Sequence, residues 1–330
     1  MVKILWQRTV VRDGWHNAFT DLCLWRGIYW LTFRRGSAHV SPDGGIVIMR
    51  SVDLQRWQQV AFLKTIGDDR DPKFCPTSDR LYVYFGTWLP RPKGWPDERF
   101  GPLVTHVSFS EDGAQWSNPI PAYKQNYWLW RVRYHDGTFY STAYGWDDPL
   151  EKHKSFLDLL ISKDSVKWKK KCRIGEEKFQ PNEADIWFQP DGEIWCIARS
   201  ARTLDHSLFY YSKPPYERWE CVDLKVTIHC PVFCQTDGKL YVAGRRRIDA
   251  SWKPQSSPAG NTGIFIVEKG KVEPFLALPT YGDAAYPGLI SPEPGKLVIS
   301  YYSQHAYLSG AVCGQSPHSA DIYVAKISVE

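Results

Sequence analysis

An all-β fold, a six-bladed β-propeller of four-stranded antiparallel blades, is predicted for this chain of 330 residues by three observations. A turn followed by a small apolar strand recurs six times, with its second residue at positions 27, 80, 137, 192, 238 and 295, so the steps are 53, 57, 55, 46 and 57. Periods of this size belong to arrays and propellers. A second marker, S-x-D-x-x-x-W, follows three of those turns, in Ser51 to Trp57, Ser110 to Trp116 and Ser162 to Trp168. Finally, aromatics make up 15% of the chain with 16 Trp, and no long run combines helical period with caps, which favours repeated short strands over helices.

Each blade can be justified in turn. The first has its inner strand starting near Asn17, its turn at Arg26-Gly27, a third strand over Ile46 to Met49 and the marker ending on Trp57. In the second the turn is Asp79-Arg80, the third strand Thr105 to Phe109 and the marker ends on Trp116; in the third, Asp136-Gly137, Phe156 to Ile161 and Trp168 repeat the order. The fourth has Asp191-Gly192, then Ser207 to Tyr211, then Ser212 and Trp219 as a marker without its Asp. Asp237-Gly238 and Pro294-Gly295 open the hairpins of the fifth and sixth. The sixth ends on Asp321 to Ile327 with no sequence left for a fourth strand, so Val2 to Val10 is expected to supply it and cover the open edge. The repeat runs end to end, which predicts a single domain over 1–330. In the markers the Ser and Asp are read as turn residues bonding backbone N–H groups over a packed Trp.

Composition excludes several function classes. No apolar run reaches the roughly 18 residues of a membrane span and no charged-then-apolar leader is present, so a soluble chain is expected, either cytoplasmic or secreted with its leader removed. The formal charge of +5 lacks the clustered Lys/Arg stripe of a nucleic-acid binder. Eight cysteines (23, 75, 172, 196, 221, 230, 234 and 313) show no paired CxxC spacing and read as buried free thiols. His229, Cys230 and Cys234 offer only a weak zinc pattern, and neither metal nor cofactor is called for.

Equal offsets from homologous turns should face the same way in every blade. Seven residues beyond the turn position stand Arg34, Thr87, Tyr144, Arg199, Arg245 and Tyr302. Three arginines converging on one face would repel unless an anion joined them, so a carboxylate or sulfate ligand is predicted. The alternative is that each pairs with a neighbouring Asp or Glu. Nine residues before the turn stand Ala18, Asp71, Trp128, Glu183, His229 and Tyr286, five of them suited to proton transfer, nucleophilic attack or sugar stacking. Such a departure from core-filling residues marks a functional site.

These residues resemble the sialidase superfamily of six-bladed propellers, over essentially the whole chain. The S-x-D-x-x-x-W copies look like that family's Asp-box, or BNR repeat, one residue short. Asn182-Glu183 with Arg199-Ser200 resembles the segment bearing the family's glutamate and an arginine of its triad, and Ala285-Tyr286-Pro287-Gly288-Leu289 the segment bearing its nucleophilic tyrosine. Phe33 to Gly44 is closer to a bacterial, sialidase-like branch. The resemblance implies an exo-acting glycosidase in which Tyr286 attacks the anomeric carbon, Glu183 takes its proton, and Arg34, Arg199 and Arg245 hold a substrate carboxylate, with Trp128, Tyr144 and Tyr302 lining the sugar site. Two departures stand out: the family's first-blade Arg-Ile-Pro is replaced by His16-Asn17-Ala18, and its acid/base aspartate has no counterpart, leaving Asp71, His39 and Asp43 as candidates. An acidic glycoside, such as a uronic acid or an unusual sialic acid, is therefore expected as partner. The competing readings are a uronate lyase using His229 or Tyr286 as base, and a non-catalytic carbohydrate-binding propeller stacking sugars on Trp88, Trp95, Trp128, Trp130 and Trp146.

Overall fold

The computed structural model of the protein describes residues 2–98, 100–148, 154–201, 206–247, 262–308 and 319–329. Six four-stranded antiparallel sheets form the ring of a propeller. Blade one runs His16–Trp25, Ile28–Gly36, Gly45–Ser51 and Gln58–Leu63; blade two runs Asp68–Pro76, Leu81–Trp88, Leu103–Ser110 and Ile120–Pro121. Blade three comprises Tyr127–His135, Thr138–Gly145, Phe156–Ser162 and Trp168–Gly175, and blade four Pro181–Phe188, Ile194–Ser200, Leu208–Ser212 and Glu220–Asp223. Blade five comprises Thr227–Thr236, Lys239–Arg247, Thr262–Glu268 and Lys271–Leu278. Blade six is built from Ala284–Glu293, Lys296–Ser303, Asp321–Ser328 and, as its outermost strand, the N-terminal Lys3–Val11. All six turns found in the sequence join the first and second strands of a blade. The ring closes as expected, with Lys3 opposite Ser328 and Gln7 opposite Ala325. Lys3–Val11 thereby covers the edge that Asp321–Ser328 would otherwise expose.

The three markers adopt one turn at the end of the third strand. Ser51 Oγ accepts from Leu54 N at 2.9 Å while Asp53 Oδ1 accepts from Gln55 N and Arg56 N at 2.8 and 2.9 Å. Ser110 and Asp112 repeat this with Gly113, Ala114 and Gln115, and Asp164 with Val166 and Lys167. Leu54, Gly113 and Ser165 share the left-handed position, with φ of 60°, 77° and 70°. At Gly113 a side chain is also excluded by space, since a Cβ would lie 2.4 Å from the Trp30 ring. The closing Trp packs on the preceding blade: Trp116 meets Trp30 edge-on at 6.3 Å and Trp168 meets Tyr84 at 6.2 Å. These turns are therefore staples between blades. Five of the described cysteines are buried, Cys172 is half-buried and Cys221 exposed, and none forms a disulfide; Cys313 lies outside the described residues. No helix among the described residues is long and apolar enough to cross a membrane.

Candidate active site

Every inner strand begins at the face opposite the marker turns, and every one is interrupted there by a bulge. The register with the second strand jumps between Ala18 and Asp21, Arg70 and Lys73, Leu129 and Arg131, Pro181 and Ala184, His229 and Val232, and Ala285 and Gly288. An extra residue at a bulge re-aims the side chain beside it. Phe19, Asp71, Cys230, Ala285 and Tyr286 sit at positive φ (61°, 52°, 48°, 84° and 46°), a strained conformation that costs about 1–3 kcal/mol each and concentrates at functional sites. Three of them, Asp71, Cys230 and Tyr286, precede a proline, which lacks the N–H that a ladder would need.

The bulges gather a dense polar cluster. Tyr286 Oη donates to Glu183 Oε1 at 2.7 Å, Arg199 Nη1 donates to the same oxygen at 2.8 Å, and Cys230 N donates to Oε2 at 2.8 Å. Burial opposes the charge on Glu183, but Arg199, His229 and the Tyr286 hydroxyl outweigh it and hold the carboxyl below its ordinary value. Burial, and then the Glu183 charge, push the Tyr286 phenol well above its own. The pair therefore rests as phenol and carboxylate. Arg245 lies over the Tyr286 ring at 4.8 Å, and its Nη2 donates to Asp283 Oδ1 and Tyr302 Oη, both at 3.0 Å. Across blade one, Asp71 is 4% exposed, its Oδ1 has no hydrogen-bond partner, and burial pushes it up to about 6 against the pull of Arg70 and Lys73. Phe19, Trp130 and Tyr302 surround the Tyr286 ring at 5.0, 6.0 and 6.2 Å. Trp128 and Tyr144 stack at 5.9 Å, and Trp88 stacks on Trp146 at 6.0 Å. Beyond Trp88 a groove of about 270 Å³ is lined by Ser41, Asp68, Trp88 and Phe100.

Not every residue placed by counting joins this cluster. Arg34 is fully buried and spends its guanidinium internally, on Asp68 Oδ1, Ala38 O and Ser41 at 2.8 Å, so it presents nothing to a ligand. The guanidinium that faces the cluster from this side is Arg70, held by Asp68 Oδ2 at 3.2 Å and His39 O at 2.8 Å. Asp43 accepts from Ser37 N and Oγ in its own exposed turn. His39 does face the cluster, with Nδ1 on Asp283 Oδ2 at 2.5 Å. His229 is buried beside Glu183, but the residue equivalent to Asp71 and Tyr286 in blade five is Cys230, because a longer turn in blade two and a bulge between Ile290 and Glu293 in blade six shift a fixed count by one. Cys234 lines a cavity at the opposite mouth of the axis with Asp21, Arg131 and Arg133, so the His229, Cys230 and Cys234 zinc pattern is not assembled. Arg70, Asp283 and His16 were missed. Asp283 lies in the linker before the inner strand, where the repeat has no address; Arg70 neighbours Asp71 and is turned inward by the bulge.

No family model matches the chain, and no curated protein matches it in sequence. Solved structures do. A Dyadobacter fermentans protein of unknown function is 18% identical with a TM-score of 0.81, covering 100% of this chain and 99% of the other. The phage phi92 endosialidase is 12% identical with a TM-score of 0.70, covering 98% of this chain and 69% of its own. A Trypanosoma rangeli sialidase bound to the inhibitor DANA is 11% identical with a TM-score of 0.66; 96% of this chain aligns with 55% of that one. At these identities the likeness is one of fold.

Proposed function

We propose that the protein is a glycoside hydrolase of sialidase-like type. The observation that carries this is the 2.7 Å hydrogen bond from Tyr286 to Glu183, formed by residues of the inner strands of blades six and four. A lectin has no use for a phenol with a buried base, whereas a tyrosine nucleophile needs one to lose its proton near neutrality. In the first step Tyr286 Oη attacks the anomeric carbon as its proton passes to Glu183, and the bond to the leaving oxygen breaks as Asp71, in its acid form, protonates that oxygen. In the second, water attacks the same carbon and the bond to Tyr286 Oη breaks, Asp71 taking the water proton while Glu183 returns its own to the departing phenolate. Asp71 suits both halves because its carboxyl is pushed up to about 6. Trp128, expected to stack on a sugar, is buried with one face on the half-buried Tyr144, so of this pair Tyr144 is the ring left at the edge of the site.

An acidic terminal sugar is expected from three arginines at one register, with pairing inside the protein as the alternative. Arg199 and Arg245 line the cluster with 26% and 18% of their side chains exposed, so a substrate carboxylate can reach them, but each already meets a carboxylate of the protein. The test is a panel of acidic and neutral aryl glycosides with wild type, Tyr286→Phe and Glu183→Gln. Release of aglycone that both substitutions abolish supports the hydrolase. Product carrying the absorbance of a new C=C bond would instead establish a lyase, and binding without turnover a lectin.

A further inference from the structure

The arginines of this face are paired within the protein. Arg34 and Arg70 share Asp68, Arg70 Nε lies 3.6 Å from Asp71, Arg199 is paired with Glu183, and Arg245 with Asp283. Each of these guanidinium groups thus already meets a carboxylate of the protein. Asp283 is the least expected of these. It comes from no repeat position, yet it accepts four hydrogen bonds: Oδ1 from Tyr302 Oη at 2.6 Å and Arg245 Nη2 at 3.0 Å, Oδ2 from His39 Nδ1 at 2.5 Å and His16 Nε2 at 3.1 Å. A carboxylate held by one guanidinium, a phenol and two imidazoles is the environment a bound anion would seek. The same three ligand atoms, from His16, His39 and Asp283, lie within 4.8 Å of one another and would suit a metal ion by type. Arg245 on one side and Arg70 Nη2, 3.4 Å from His39 Nε2, on the other would repel a dication.

We infer that Asp283 is a built-in carboxylate that occupies the anion place of Arg245, so that the sugar held over Tyr286 is an uncharged one. This deepens the hydrolase reading and rests on it for turnover, though not for binding. An acidic sugar entering beside Arg245 would meet Asp283 at hydrogen-bond distance, and two carboxylates cannot share one cation without a cost. A neutral hydroxymethyl group would instead find Asp283 as an acceptor.

The experiment compares paired aryl glycosides that differ only at C5, a hydroxymethyl glycoside and its uronide, with wild type, Asp283→Ala and the near-isosteric Asp283→Asn. Wild type should favour the neutral member by about tenfold or more in kcat/KM, and loss of the Asp283 charge should raise the uronide by a similar factor. Sodium acetate should then return Asp283→Ala part of the way, by refilling the vacated place. Wild-type preference for the uronide, or a ratio unchanged in both variants, overturns the inference. Should wild type cleave neither glycoside, the hydrolase reading fails while this one is still decided by calorimetric titration of free glucuronate. Binding at least about tenfold tighter to the variants sustains it, and equal binding overturns it. Asp283→Asn, which preserves shape, serves if Asp283→Ala does not fold.

Discussion

The two faces of the disc are made from the same six repeats and solve opposite problems. On the marker face, Asp53, Asp112 and Asp164 bond to backbone N–H groups two and three residues ahead, at the surface, and the same turn recurs in the first three blades. On the cluster face, Asp68, Glu183 and Asp283 come from three different contexts and are held by groups distant in sequence, such as Tyr286 to Glu183 across 103 positions. Local bonds repeat with the repeat; long-range ones are specific to the blade. The marker face is thus expected to govern stability and the cluster face chemistry, and substitutions on each face can break that division.

The largest effect should come from the cluster face. Tyr286→Phe removes only a hydroxyl, and Glu183→Gln only a charge, yet each should lower kcat by about 10³-fold or more if the proton passes between them. The double variant should lose little beyond either single one, because the two residues act as a unit. Thermal melting of Tyr286→Phe should stay close to that of wild type. A kcat loss below tenfold in both would remove this face from the chemistry.

Next comes a staple. Trp168, buried against Tyr84 with its Nε1 on Ser165 O at 3.1 Å, joins blades two and three on the other face. Trp168→Ala should cost about 3–5 kcal/mol of stability and leave kcat unchanged at temperatures where the variant is folded. A kcat that fell with stability would show that the faces are coupled through the inner strands.

Legibility in the sequence follows the same division. The six turns, the third strands and the closing N-terminal strand were readable because each depends on residues close in sequence, such as Asp237-Gly238 or the Ser110 to Trp116 marker. The cluster was readable where a side chain keeps its register, as for Glu183, Arg199, Arg245 and Tyr286. It failed where a bulge or linker changes the register. Counting back from the turn selected His229 rather than Cys230, passed over Arg70, and had no place for Asp283. The prolines after Asp71, Cys230 and Tyr286 were the available signal, since three inner strands each carry one at the same point. Arg34 differs for another reason: its offset is that of Arg199 and Arg245, but Asp68, the first residue of the neighbouring inner strand, binds its guanidinium.

The two remaining effects are smaller and opposite in sign, and they set the same substitution against itself on the two faces. Asp71 is pushed up to about 6 chiefly by burial, so the folded protein binds its proton more tightly than the unfolded chain, and stability falls as pH rises from about 4 to about 6. Asp71→Asn cannot pay that penalty and should be more stable than wild type at pH 7, by roughly 1–3 kcal/mol, while losing the decline in kcat/KM that wild type shows as pH rises through about 6. Asp112 is held below its ordinary value by Gln115 N and Ala114 N, so its contribution is present above about pH 4 and is lost as pH falls through the lower folded value. Asp112→Asn keeps an oxygen for both N–H groups but no charge, and it should melt about 1–2 °C below wild type at pH 7. That gap should close in acid, because a protonated Asp112 and an Asn are then equivalent acceptors. Melting curves of both variants from pH 3 to pH 8 test the pair: a stabilised Asp112→Asn, or a destabilised Asp71→Asn at pH 7, would mean that burial and local bonding do not divide between the faces in this way.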